Sequence, residues 1–156
     1  MEIRELTEKD LTDYQSDIIG YIYDNLMINL PFISEIEKLA EEKYLDIVRF
    51  KKDGSAILYG AFEEKMLGFL WAYEREIFGE KRLHLDHLIV DANVRATGIG
   101  SKLIEKLYDI ALVRNISKIE LMATMSNENA VNFYRKHGYD IKRVQMEIEV
   151  ENYNAD

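Results

Sequence analysis

Between Ser55 and Val90 the chain carries three consecutive apolar runs of strand character. Turn signals bound them: Asp53-Gly54, Glu63-Glu64-Lys65 and the break at Gly79. Ser55–Phe62, Met66–Ile77 and Arg82–Val90 therefore read as strands, the first two joined as a hairpin. Connections this short allow only antiparallel pairing. The chain must build a sheet from these runs and cover it with what remains.

Most of what remains has helical spacing. Ile3 and Leu6 suggest a short opening strand, and Thr7 followed by Glu8-Lys9-Asp10 is a helix-start signal. Tyr14, Ile18, Ile19, Ile22, Tyr23 and Leu26 then recur at helical intervals. After Pro31, Phe32, Ile33, Ile36, Leu39 and Ala40 mark a second helix. Leu103, Ile104, Leu107, Tyr108 and Ala111 mark a third, and Ile116–Ala123 reads as a strand. Ser126 is placed to cap a helix running to about His137, which Gly138 stops. Tyr139–Val150 alternates and is predicted as a final strand. The order β-α-α-β-β-β-α-β-α-β predicts a mixed sheet covered by helices. At 156 residues, with no repeat or low-complexity stretch, the chain reads as one domain spanning 1–156.

Composition narrows the function. The formal net charge of −9 argues against nucleic-acid binding. The charge is uneven: residues 1–78 hold 17 acids and 9 bases, whereas residues 79–156 hold 12 and 11. An anionic ligand is expected on the second half. With no cysteine, disulfides, thiolate–metal sites and a cysteine nucleophile are excluded. The opening MEIRELTEKD has neither a basic nor an apolar leader region, and no apolar run reaches membrane-spanning length. The expectation is a cytoplasmic protein without a membrane partner.

The segment from Val90 to Ile104 carries the chemistry. A strand ends at Val90, a small polar loop follows, and a helix opens near Gly98-Ile99-Gly100. Closely spaced glycines let the backbone approach a ligand, and the free N–H groups of a helix's first turn favour an anion. Arg95 and Lys102 add positive charge. The spacing does not fit a P-loop, and Leu103 stands where a dinucleotide fingerprint needs its third glycine.

The longer pattern Arg95-x-x-Gly98-x-Gly100 resembles the acetyl-CoA signature of the GNAT N-acetyltransferases. Downstream, Asn127-x-x-Ala130-x-x-x-Tyr134-x-x-x-Gly138-Tyr139 resembles that family's second motif. The element order is similar over nearly the whole chain. The resemblance implies a mixed, mostly antiparallel central sheet with helices on both faces. It also implies acetyl-CoA as co-substrate and transfer of the acetyl group to a primary amine, on a small cation or a peptide, directly within a ternary complex. Backbone N–H groups of Arg95, Ala96, Thr97, Gly98, Ile99, Gly100 and Ser101 would hold the pyrophosphate. The main chain of Leu88, Ile89 and Val90 would pair with the pantetheine arm, and the Ile89 amide would polarise the thioester carbonyl. Asn127 would bond the pantetheine arm, and Tyr134 would protonate the leaving thiolate. Ala96 departs from the glycine common at its position, and so small a residue is expected to cost little.

The incoming amine must lose a proton. Strict alternation places His84, Asp86, Leu88 and Val90 on one face of their strand, and Leu83, Leu85, His87 and Ile89 on the other. Asp86 is the first candidate base and His84 the second, with Glu74, Glu76 and Glu120 behind them. A bulge, common on this strand in the family, would reverse the phase and bring His87 to the site. No metal is expected, because unbulged alternation sends His84 and His87 opposite ways. Acids of the first two helices (Asp13, Asp17, Asp24, Glu35, Glu37, Glu41 and Glu42) either line a wall for a cationic acceptor or form solvent faces. About 18 residues follow Gly138, so part of the acceptor wall is expected either to be missing or to come from the second subunit of a homodimer. The alternative to catalysis is a binding module, an acyl-CoA sensor on the same fold.

Overall fold

In the computed structural model, which describes residues 1–154, five strands form one sheet in chain order. β1 (Glu2–Glu5), β2 (Ala56–Phe62), β3 (Met66–Ile77) and β4 (Glu80–Val90) pair antiparallel with their neighbours, and β5 (Ile119–Leu121) pairs parallel with β4. The mostly antiparallel sheet with one parallel edge is as expected.

Three helices precede β2: α1 (Glu8–Asp13), α2 (Gln15–Asn29) and α3 (Ile36–Lys52). α4 (Ile99–Val113) connects β4 to β5, and α5 (Glu128–Lys136) follows β5. The connection through α4 makes the parallel pairing possible, since a parallel neighbour needs a crossover. Two cores result. Leu11, Ile18, Ile22, Ile36, Ala40 and Ile47 pack with Phe69 and Trp71 on one face. Leu103, Ile104, Leu107 and Ala111 of α4 pack with Leu70, Leu83 and Leu85 on the other. The apolar periodicities read from the sequence are the residues that fill these layers.

Three local expectations are corrected. The first helical run is two helices, because Tyr14 leaves helical geometry at φ −106°, ψ 19°. The helix after the proline starts only at Ile36, and Phe32 is exposed. Asn127, rather than Ser126, caps α5: the Ala130 N–H donates to its Oδ1 at 3.2 Å. The largest correction concerns Tyr139–Val150. It forms no strand, and from Asp140 to Asn154 every residue is exposed.

The opening signal at Thr7 holds, as a capping box with Asp10. Arg4 grips the same carboxylate with both guanidinium nitrogens, at 2.8 and 2.9 Å. That ion pair and the Thr7 hydrogen bonds, outweighing partial burial, hold the Asp10 carboxyl well below the usual range. Together they fix β1 against α1.

Gly68 sets how closely β3 approaches the end of β4. A Cβ there would lie 2.5 Å from the Ile89 carbonyl oxygen and 2.9 Å from the Val90 Cα. Both obstacles are backbone and cannot rotate away. Gly68→Ala is expected to destabilise the fold by about 3 kcal/mol, the upper end of overpacking costs, as read by urea denaturation.

Candidate active site

The β3–β4 ladder contains one irregularity. Trp71 pairs with His87 and Ala72 with Leu85, so Asp86 is the extra residue of a bulge. The bulge reverses the phase of the strand. Leu83 and Leu85 pack on the α4 side, and Leu88 and Val90 rejoin them there beyond the bulge. His84, His87 and Ile89 face the α1–α3 side: His84 lies 5.3 Å from the Tyr73 ring, and His87 lies 5.4 Å from the Trp71 ring. The unbulged grouping of His84 with Leu88 and Val90 is therefore corrected, and the two histidines point the same way.

β5 follows β4 for three positions only, Leu83 to Leu85 opposite Ile119 to Leu121. From Asp86 to Val90 the β5-facing edge of β4 has no strand neighbour among the described residues. Leu88, Ile89 and Val90 lie on this stretch, where their main chain is available to an extended ligand.

At the end of that edge Asp91 turns the chain. Its carboxylate accepts from the Asn93 N–H at 2.9 Å and from Lys65 Nζ at 3.1 Å. A short 3-10 turn, Ala92–Val94, leads into the glycine loop. Gly98 has φ 86° and precedes α4 without any side-chain cap. The N–H groups of Ile99, Gly100 and Ser101 therefore open the helix unsatisfied by a cap, at the positive end of its dipole. The space beside Gly98 is clear: nothing lies within 4 Å of where a Cβ would stand. Gly100 has a different task. A Cβ there would meet the Phe133 ring at 3.3 Å, so this glycine seats α5 over the first turn of α4. Thr97 Oγ1 donates to the Val94 carbonyl at 2.6 Å, and the exposed Arg95 side chain reaches back to the Val90 carbonyl at 3.4 Å.

α5 brings the second motif alongside. Asn127 Nδ2 donates to Asn29 Oδ1 at 3.0 Å, joining the start of α5 to the end of α2. Tyr134 packs edge-on against Phe133 and Tyr139, at 5.3 and 5.5 Å, and burial pushes its phenol up to about 12. It is thus a neutral donor throughout the physiological range. Ser101 Oγ and His137 Nε2 lie 3.0 Å apart, and the Tyr108 hydroxyl donates to the His137 carbonyl at 2.8 Å.

Burial and then the Arg75 charge hold His84 below its ordinary range, against the opposing pull of Asp86 and Glu120. It is neutral at pH 7, and its Nδ1 has no partner among the described residues. His87 is more deeply buried and is also held low by that burial. The Asp86 charge acts on Tyr73, His84 and His87 alike.

Of the lesser carboxylate candidates, Glu76 is exposed on β3, and the other two are engaged elsewhere. Glu120 takes a two-pronged bond from Arg75, at 3.0 and 2.8 Å, and Glu74 pairs with Arg114 at 2.9 Å. The acids of the first helices, Asp13, Asp17, Asp24, Glu35, Glu37, Glu41 and Glu42, are all exposed, as solvent faces require. Sequence reasoning missed Asn29 and Trp71. Only the doubled polar pair Asp86-His87, interrupting an apolar alternation, signalled the bulge.

The model of the acetyltransferase (GNAT) family matches residues 19–139. YxbD of Bacillus subtilis (strain 168) is 38% identical over 55 residues, 35% of this chain and 35% of YxbD, so the match spans about a third of that relative. Thialysine N-epsilon-acetyltransferase of Sus scrofa is 25% identical over 129 residues, 73% of this chain and 76% of that protein. Among solved structures, the PaiA N-acetyltransferase of Thermoplasma acidophilum in complex with coenzyme A has the same fold. Its TM-score is 0.75 at 22% identity, over 92% of both chains.

One expectation about the loop is revised. Ala96 sits at φ 63°, in the left-handed region where a Cβ is strained by about 1–2 kcal/mol. Part of that is recovered because alanine restricts the unfolded chain more than glycine does. Ala96→Gly is expected to stabilise the protein by about 0.5–1 kcal/mol. Differential scanning calorimetry should show a Tm roughly 1–4 °C higher.

Proposed function

Since the chain belongs to the acetyltransferase (GNAT) family, whose members use acetyl-CoA, we propose that it is an enzyme that moves an acetyl group from acetyl-CoA to a primary amine. The observation that carries this reading is the junction of an unpaired β4 edge with an uncapped, glycine-opened helix. The two features suit the two halves of a CoA molecule: an amide-bearing arm and a pyrophosphate.

In this reading the main-chain N–H groups from Arg95 to Ser101 bind the pyrophosphate, with the open side of Gly98 admitting it. Leu88, Ile89 and Val90 align the arm, and the Ile89 N–H stabilises charge developing on the thioester oxygen. Asn127, which has a second amide proton beyond the one given to Asn29, holds the arm from the α5 side. The amine attacks directly within a ternary complex. His84 takes the proton from the amine nitrogen, because it is neutral and its buried Nδ1 has no partner among the described residues. Asp86 stabilises the resulting imidazolium, which places it second to His84. Tyr134 donates a hydrogen bond to the departing thiolate. A phenol at about 12 is a weaker acid than a thiol near 8.5, so stabilising the anion comes before full proton transfer.

The acceptor is a primary amine on a small cation or a peptide, in line with the named ε-amine chemistry of the Sus scrofa relative. The net charge of −9 favours a cationic acceptor. The enzyme works as a cytoplasmic homodimer. No helix among the described residues is long and apolar enough to cross a membrane.

Acetyl-CoA at about 100 times its Kd should add roughly 2.7 kcal/mol of stability. Gly98→Glu should abolish that thermal shift, and a shift that survives would sink the cradle. Turnover with an amine panel is readable from released thiol, without background from a chain that has no cysteine. Tyr134→Phe should lower kcat roughly 100-fold while leaving the acetyl-CoA shift in place. An unchanged kcat would remove the tyrosine from the mechanism.

The pH profile tests the base. A histidine held low remains an acceptor below pH 6.5, so the acid limb of kcat/KM should lie under that value. His84→Gln should remove the limb along with most of the rate, whereas an unaltered limb would point to another base.

A further inference from the structure

Where α5 ends over the first turn of α4, a polar pair joins the two helices. Ser101 is the third residue of α4, and its Oγ lies 3.0 Å from Nε2 of His137, the residue that closes α5. His137 is held from several directions. Its main-chain N–H donates to the carbonyls of Phe133 and Tyr134, at 3.2 and 3.0 Å. Its carbonyl accepts from the Tyr108 hydroxyl at 2.8 Å. Its ring centre lies 4.6 Å from that of Phe133, which itself rests in the room left by Gly100. The imidazole is therefore fixed in place before any ligand arrives.

The side chains of a helix lean toward its N-terminus. The Ser101 hydroxyl thus leans toward the same end of α4 as the uncapped N–H groups of Ile99, Gly100 and Ser101. A hydroxyl has one proton and two lone pairs, and a neutral imidazole has one N–H and one bare nitrogen. The pair has two arrangements. With Nε2 bare, the serine proton is given to the ring, and Ser101 turns only lone pairs to a ligand, which repel an anion. With Nε2 protonated, the ring donates to Oγ, and the serine proton is left for a phosphoryl oxygen. Hydrogen bonds to an anion are stronger than those between neutral groups, so an anion selects the second arrangement.

We propose that His137 is a positioning residue for the diphosphate of acetyl-CoA: its Nε2–H donates to Ser101 Oγ and so turns the serine proton toward a phosphoryl oxygen at the head of α4. The proposal rests on the acetyl-CoA reading above. It adds a side-chain donor to a cradle otherwise made of main chain. In a chain of net charge −9, a donor oriented beforehand recovers part of the attraction that the overall charge denies an anion.

Imidazole 15N NMR of the wild-type protein reads the tautomer directly. In the CoA complex, Nε2 of His137 should carry hydrogen. A bare Nε2 in that complex would hold the serine proton itself and overturns the proposal, whether or not any variant folds.

Isothermal titration calorimetry with CoA, and with pantetheine, which lacks the diphosphate, separates recognition from packing. His137→Met keeps an apolar body against Phe133 and removes the donor. Its Kd for CoA should rise about 10-fold while its Kd for pantetheine stays unchanged. Ser101→Ala should give the same loss, and the double variant no more than either, because the two side chains act in series. His137→Gln offers an amide N–H to Oγ and should restore most of the affinity. Equal losses for CoA and pantetheine, additive losses in the double variant, or unaltered CoA binding by His137→Met would each overturn the proposal. A wild-type chain that binds no CoA would instead sink the acetyl-CoA reading, and this proposal with it.

Discussion

β4 is bonded to β3 along its whole length but to β5 over only three residues. That unequal sharing organises the molecule. The long antiparallel ladder anchors the strand and holds both cores apart, with α1–α3 on one face and α4 on the other. The short parallel ladder releases the far half of the strand, so its main chain meets solvent on one side within a well-packed sheet. Gly68 lets β3 press closely against Ile89 and Val90, which keeps that half rigid without help from β5. A free edge backed in this way is pre-organised to take an extended ligand.

The bulge at Asp86 gives the same strand its second role. One extra residue turns His84, His87 and Ile89 onto one face and Leu88 and Val90 onto the other. The side chains proposed to handle protons and the main chain proposed to hold the co-substrate then occupy adjoining stretches. Burial keeps both histidines neutral and keeps the Tyr134 phenol protonated. In the proposed mechanism the acceptor and the hydrogen-bond donor are thus both in their working forms before any ligand arrives. The positive pole of α4 supplies the attraction for an anion that the acidic chain as a whole does not.

The region beyond α5 follows a different logic. Tyr108, Tyr134 and Tyr139 form an aromatic cluster that ties the end of α5 to α4. The alternating segment that follows has no layer of its own to enter. Its pattern is that of a strand, yet a strand exists only where a partner supplies hydrogen bonds. Among the described residues it pairs with no strand.

Much of this was written in the chain. The strands from β2 to β4, the apolar stripes of α2, α3 and α4, the cap at Thr7, the stop at Gly138 and the glycine-opened helix all follow from local periodicity and turn chemistry. The order of elements and the two motifs were enough to identify the family. What the sequence alone could not determine depends on contacts between distant segments. The phase of β4 hinged on whether Asp86 was paired, which only the β3 register decides. The strain at Ala96 became visible only once the loop's backbone angles were set by its two ends. Asn127 finds Asn29 through tertiary packing, far from any local pattern. Whether 143–150 is a strand depends on an edge, and hydrogen-bonding partners across a sheet are chosen by the assembled fold rather than by the residues that need them.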